Sequence, residues 1–224
     1  MAHFIPLHRD DPSKAPLVGN IKVTRQDWLN VAKDILISDG IEQVKILPMS
    51  DRLGVSRSSF YWYFKTRQDL LDALLDHWEK TNTAALVAKA QAPSRTITQA
   101  VNQVFHCVVN PSIFSIPFDF AVRDWARRSD KVRAVLHASE DTRIAAIQAM
   151  FQRYEYTEIE ALTRARILYY MQNGYNDADL QEPLETRMKM VPHYLYGFTG
   201  QHAADDEIRD FRAYCQAVQT GDTP

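Results

Sequence analysis

The sequence predicts an all-α fold, and three observations carry that prediction. Apolar residues recur at helical spacing over most of the chain after residue 20. No stretch sustains the period-two alternation of a half-buried strand, and residues that cap helices stand where the periodic runs open. At 224 residues with 46% hydrophobic side chains, the chain can bury one large core or two smaller ones.

Residues 1–20 hold three prolines and mixed charges without periodicity, and read as a flexible arm. The first helix lies in "VTRQDWLNVAKDILISDG". Thr24 caps it, Asp27 completes a capping-box spacing, Trp28, Ala32 and Ile35 share a face, and Gly40 ends it. In "LPMSDRLGVSRSSFYWYF" two short helices flank Gly54-Val55, with Pro48 in the opening turn of one and Ser56 at the cap of the other. This is helix, turn, helix in under about 20 residues. Thr66 then caps a longer helix, with Leu70, Leu71, Leu74, Leu75 and Trp78 along one side, expected to run into the eighties.

Further amphipathic runs follow. One holds Ile97, Val101, Val104, Phe105 and Val108; "NPSIFSIP" breaks it, and "FDFAVRDWARR" and "KVRAVLHASEDTRIAAIQAMFQRY" come next. After "TEIEALTRARILYYMQNG", the run "EPLETRMKMVPHYLYGFTG" places Leu184, Met188, Val191, Leu195 and Phe198 at heptad-like steps. Pro192 is expected to kink or divide that helix. A last run puts Ile208, Phe211, Cys215 and Val218 on one face.

Composition narrows the functional classes. A formal net charge of -2 points to no polyanionic partner for the molecule as a whole, so such a partner has to meet a local patch. Cys107 and Cys215 lie far apart without CxxC spacing and read as reduced thiols in a cytoplasmic protein. The N-terminus lacks a signal-peptide pattern, and no run approaches a membrane span. The seven histidines stand at no metal-binding spacing, and neither a phosphate loop nor a GxSxG elbow is present. The chain is therefore read as neither an enzyme nor a cofactor or metal carrier.

One patch does stand out. Between Arg52 and Arg67 there are four basic residues and no acidic one, around the five consecutive aromatics Phe60 to Phe64. On a helix Phe60 and Phe64 share one face, toward the preceding helices, while Ser58, Tyr61 and Trp62 lie roughly opposite, with Ser59 and Tyr63 beside them. Short serines allow close backbone approach to a duplex, Arg57 can reach guanine edges, and tyrosine hydroxyls and Lys65 can hold phosphates. A second basic stretch, "RDWARRSDK" at 123–131, reads as a charged helix end and turn anchored by Trp125.

Residues 23–71 resemble the helix-turn-helix domain of the TetR family of bacterial transcription regulators, through Gly54-Val55-Ser56, the Tyr61 to Lys65 block and the Arg67 to Leu71 helix start. The resemblance implies base-facing roles for Arg57, Ser58, Ser59 and Trp62. It implies mainly phosphate contacts for Tyr61, Tyr63, Lys65, Arg67 and Arg25. Two departures are Tyr63, where histidine is frequent, and Lys45, which stands where a capping threonine is frequent and is added as a DNA-contact candidate. It further implies a three-helix DNA-binding domain over 21–68, a larger helical effector-binding and dimerisation domain over 69–202, and a C-terminal helix and tail over 203–224.

The expected partners are thus a double-stranded operator, a small-molecule effector of unknown identity and a second copy of the chain, in a repressor released by its effector. Mid-chain residues Phe105, His106, Phe118, Trp125, Tyr154 and Tyr169 are candidates for lining an effector pocket. The seam Leu184, Met188, Val191, Leu195 and Phe198, with the small Ala161 and Ala165 in the run before it, is the candidate dimer interface. Two other readings are a helical small-molecule enzyme and a constitutive DNA-binding dimer without effector.

Overall fold

The computed structural model describes residues 23–180 and 182–222, so the arm expected over 1–20 lies outside the described residues. Among the described residues all regular structure is helical. In order the helices are α1 (Arg25–Asp39), α2 (Ile46–Leu53), α3 (Arg57–Phe60), α4 (Arg67–Trp78), α5 (Ala84–Gln91), α6 (Ile97–Val109), α7 (Ile116–Ala126), α8 (Asp130–Gln152), α9 (Glu158–Asp177), α10 (Leu184–Thr199) and α11 (Asp205–Thr220). The run expected to continue past Trp78 does so through one wide π-helical turn, Glu79–Thr83, into α5.

The described residues divide into two compact units, one formed by those up to Trp78 with Pro117–Arg133, the other by Glu79–Ile116 with those from Ala134 onward. In the first unit, α1 opens on a capping box. The Thr24 hydroxyl accepts the Asp27 N–H at 3.2 Å, and the Asp27 carboxylate accepts the Thr24 N–H at 2.7 Å. Thr66 and Asp69 repeat the device at α4: Asp69 accepts the N–H groups of Lys65 and Thr66 at 3.0 and 3.1 Å, and the Thr66 hydroxyl accepts the Asp69 N–H. Both helices then bury one face, with Trp28, Ala32 and Ile35 of α1 and Leu70, Leu74 and Trp78 of α4 almost wholly inside.

Aromatic packing joins α3 to that core. The Phe60 ring meets Trp28 edge-on, with centroids 5.3 Å apart, and stacks on Phe64 at 5.4 Å. Phe118 and Trp125 of α7 belong to the same unit, where the buried Asp119 accepts the Trp78 Nε1–H at 2.9 Å and the Arg123 Nε–H at 3.0 Å.

The second unit is built around α6, α8, α9, α10 and α11, with Val101, Val104, Ile147, Phe151 and Leu168 in its core. Two expectations change here. Ala161, Ala165, Met188, Val191, Leu195 and Phe198 are buried in this core, and Leu184 packs partly buried against it. The seam therefore faces its own protomer, because four-three spacing reports one apolar face and not which chain covers it. Helix α10 is also not divided at Pro192; a single proline removes one N–H bond without ending a helix held along its length by core contacts.

Helix α11 is fixed by a buried carboxylate. Glu207, only 4% exposed, accepts the Thr98 hydroxyl at 2.5 Å and the Thr96 hydroxyl as well. Thr96 is also the N-cap of α6, accepting the Gln99 N–H at 3.1 Å. The charge is stabilised by hydroxyl donors, as a buried carboxylate requires.

Phe60→Ala is expected to cost about 3–5 kcal/mol by leaving a cavity among Trp28, Phe64 and α2. The urea midpoint of the transition that exposes Trp28 measures it, and a loss below about 1 kcal/mol would contradict this placement.

Candidate nucleic-acid interface

The turn between α2 and α3 depends on one glycine. Gly54 ends α2 with φ 66 and ψ 33, in the left-handed region, and its N–H reaches the Asp51 carbonyl at 3.1 Å while the Val55 N–H reaches Ser50. Lys45 occupies the N-cap of α2 without a side-chain cap bond. Ser56 is the N-cap of α3 by position, but its hydroxyl pairs with that of Ser58 at 2.7 Å and caps no backbone N–H.

Regular α-helix covers only Arg57–Phe60, yet helical turns continue to Phe64. The N–H groups of Tyr61, Trp62 and Tyr63 bond to the carbonyls of Ser58, Ser59 and Phe60, and that of Phe64 also to Phe60. Phe60 and Phe64 are accordingly buried, at 0% and 4%, while Tyr61 and Trp62 are 58% and 85% exposed. Arg57, Ser58 and Lys65 are exposed and Ser59 is half-buried. The segment presents one side chain class inward and another outward.

Two of the expected phosphate residues also hold the domain together. The Tyr63 hydroxyl donates to the Val23 carbonyl at 2.6 Å, so its polar tip is turned onto the domain and not outward. Arg67 donates from Nε to the Val44 carbonyl at 2.5 Å and from Nη2 to Ile41 at 2.8 Å, tying α4 to the link between α1 and α2. Arg25 is exposed and lies over the Phe64 ring, 5.0 Å from its centroid. These tertiary roles carry no sequence signal beyond the presence of a donor.

Ion pairing sorts the basic residues. Among the described residues Lys45, Arg57 and Lys65 have no acidic partner, whereas Arg52 meets Asp39 at 3.1 Å. In the second basic stretch, Arg123, Arg128 and Lys131 meet Asp119, Asp124 and Asp72 at 3.0, 3.9 and 2.7 Å. The hydrogen bond from Lys131 holds the Asp72 carboxyl below its ordinary value. Arg57 and Lys65, with Lys45, are thus open to an external anion, and in the second stretch only Arg127 lacks such a partner among the described residues.

Residues 29–74 match the family described as bacterial regulatory proteins, tetR family. Over these residues the chain is similar to the helix-turn-helix domain of that family. Among curated relatives, the nucleoid occlusion factor SlmA of Haemophilus influenzae is 28% identical over 136 residues, covering 58% of this chain and 56% of that protein. The tetracycline repressor protein class C of Escherichia coli is 34% identical over 55 residues, a quarter of each chain. The chain thus spans little more than half of SlmA. In fold it is similar to Mycobacterium smegmatis AmtR, with a TM-score of 0.59 over 92% of this chain and 97% of that one at 15% identity.

The six effector candidates do not meet at one site. Phe118 and Trp125 sit in the unit that holds the TetR-family match, and the other four lie in the second unit. There the Tyr154 hydroxyl donates to the Ser94 carbonyl at 2.8 Å, and His106 stacks on Tyr214, centroids 3.7 Å apart, and on Phe211 at 5.8 Å. Phe105 borders a cavity, and Tyr169 with Phe105 lines a small cleft beside it. Aromatic residues alone could not indicate which of them share a wall. Among the described residues no group of three metal-ligating side chains occurs, and no helix is long and apolar enough to cross a membrane.

Burial, with the Lys89 charge adding to it, pushes the His106 imidazole down to about 4 from an ordinary 6.5. Between these values the folded chain binds fewer protons than the unfolded one, so its stability falls as pH drops from about 6.5 toward 4. His106→Phe keeps the stacking and removes that titration. Urea midpoints at pH 7 and pH 4.5 are expected to differ less in this variant than in the parent.

Proposed function

We propose that the chain is a DNA-binding transcriptional regulator whose α2–α3 unit enters the major groove, and that it acts as a repressor released by a small molecule. The observation that carries this reading is the divided face of residues 57–65: Phe60 and Phe64 are sunk in the core while Trp62 and Tyr61 stand 85% and 58% exposed beside unpaired cations. An exposed tryptophan of this kind costs solvation unless a partner covers it, and a base edge or thymine methyl suits it. The TetR-family match over the same residues supports the assignment.

In this reading Arg57, Ser58, Ser59 and Trp62 face bases, while Tyr61, Lys65, Lys45 and Arg25 meet phosphates. Tyr63 and Arg67 position the unit through Val23, Val44 and Ile41, and their remaining edges lie beside the backbone. Two copies of the unit on one dimer would read half-sites about 34–36 Å apart, which calls for a near-palindromic operator.

The dimer is assigned to the outward faces of α9 and α10 in place of the buried seam. Ile159, Ile167 and Tyr170 lie at helical spacing along α9 and are 72%, 49% and 54% exposed, with Tyr196 of α10 at 49%. Apolar side chains of this size in one stripe are covered most economically by the same stripe of a second copy. The enzyme alternative has no support of this kind, since the basic-aromatic segment it took for a substrate mouth lies within the TetR-family match.

Selection from random duplexes followed by footprinting is expected to return a dyad-symmetric site. Arg57→Ala should cost about 1–3 kcal/mol per half-site and relax base preference, whereas Lys65→Ala should weaken all sequences alike and flatten the salt slope by about one unit per lost contact. An unchanged preferred sequence in the Arg57 variant would remove that residue from base reading. For the interface, the double change Ile167→Asp with Tyr170→Asp is expected to give monomers in sedimentation equilibrium while leaving the helical content unchanged. A dimer of undiminished affinity would place the contact elsewhere.

A further inference from the structure

The second unit contains a cavity of about 210 Å³ between α6, α9, α10 and α11. Its walls are apolar, with Phe105, Met171, Met188, Phe211 and Cys215 among them, and burial pushes the Cys215 thiol up to about 11. One charged side chain lies in this lining. Arg187 of α10 has a buried Nε with no hydrogen-bond partner, and its Nη2 makes only a stretched contact of 3.5 Å with the Leu180 carbonyl.

The surrounding groups do not neutralise it. The nearby Glu182 carboxylate accepts the Tyr175 hydroxyl at 2.5 Å, and Arg187 forms no ion pair among the described residues. Its guanidinium carbon stands 5.9 Å from the Tyr175 ring centroid. A second polar tip borders the same space, since Tyr194 lines the cavity and its hydroxyl has only the Met190 thioether as partner, at 3.8 Å. A cation with an unsatisfied donor in an apolar wall is costly, in contrast to Glu207 with its two hydroxyl donors in the same unit.

We propose that this cavity binds a small amphipathic monocarboxylate, its carboxylate on Arg187 and the Tyr194 hydroxyl and its apolar body among Phe105, Met171, Met188 and Phe211. The guanidinium fork matches a carboxylate with paired N–H donors, which a neutral alcohol or an amine cannot use. Size limits the occupant. A space of about 210 Å³ holds roughly seven to ten non-hydrogen atoms at about 20–30 Å³ each. A straight chain of about eight carbons or a short arylalkanoate fills that space.

The inference deepens the effector reading above, and its test keeps the two separable by measuring binding to the DNA-free protein. Calorimetric titration with octanoate, octanol and octylamine is expected to give an octanoate affinity at least tenfold above the other two. Arg187→Gln should lower octanoate affinity tenfold or more and leave octanol unchanged, while Arg187→Lys keeps the preference for the anion. Circular dichroism melts confirm that both variants fold. Octanol binding as tightly as octanoate, no binding by any probe, or an Arg187→Gln variant with unchanged octanoate affinity would each overturn the proposal. Octanoate that binds in this manner yet leaves the operator complex intact would uphold the cavity assignment and overturn effector release.

Discussion

Phe60 sits where the orientation of the whole segment 57–65 is decided. Five aromatic residues in succession cannot all be buried by one neighbour, because a helical turn distributes them around its axis. The ring contacts from Phe60 to Trp28 and Phe64 choose which two go inside. With those fixed, the outward direction of Tyr61 and Trp62 follows from about 100° per residue. The left-handed turn at Gly54, the capped start of α4 and the Arg67 bonds to Val44 and Ile41 hold the segment against the other helices from both ends. Binding chemistry on one face thus depends on packing on the other.

The second unit shows how differently the protein can satisfy two charges of opposite sign, one buried and one half-buried. Glu207 lies in a site that supplies hydroxyl donors from Thr96 and Thr98, and the result ties α11 to the start of α6. Arg187 lines a cavity, with one nitrogen unpartnered and a stretched contact of 3.5 Å to the Leu180 carbonyl. The first arrangement is complete in the protein alone. The second leaves a buried donor unsatisfied at the wall of a largely apolar cavity.

How much of this was legible in the sequence depended on whether the signal was local. The Thr24 and Thr66 caps, the Gly40 and Gly54 ends and the helical runs could be read because each is encoded within a few residues. So could the opposed faces of Phe60 and Trp62, since helix geometry alone separates them. Spacing could not reveal what covers a face, and for that reason the seam from Leu184 to Phe198 suggested a second chain although its own core covers it. Tyr63 and Arg67 lie further beyond local reading, as their acceptors are carbonyls 40, 23 and 26 positions away. Helix α10 survives Pro192 because tertiary contacts outweigh one lost bond, a balance that propensity does not contain. The effector candidates scatter because aromatic content marks core and cavity walls equally; of the six, Phe105 lines the cavity that Arg187 also lines.

The net charge of -2 is compatible with a nucleic-acid interface once the partners of individual cations are considered. A surface cation paired with a carboxylate contributes little outward field, since the pair is nearly a dipole and salt screens it over about 8–10 Å. Arg123, Arg128 and Lys131 are so paired, and their stretch of sequence is as basic as the one around α3. Lys45, Arg57 and Lys65 are not, and Arg57 and Lys65 flank the exposed Trp62 in the sequence. The two stretches hold four basic residues each, but Asp124 and Asp130 lie within the second, and Asp119, Asp124 and Asp72 pair three of its four cations. A phosphate approaching α3 displaces counterions and no protein carboxylate, so binding there gains the entropy of ion release without first breaking an ion pair.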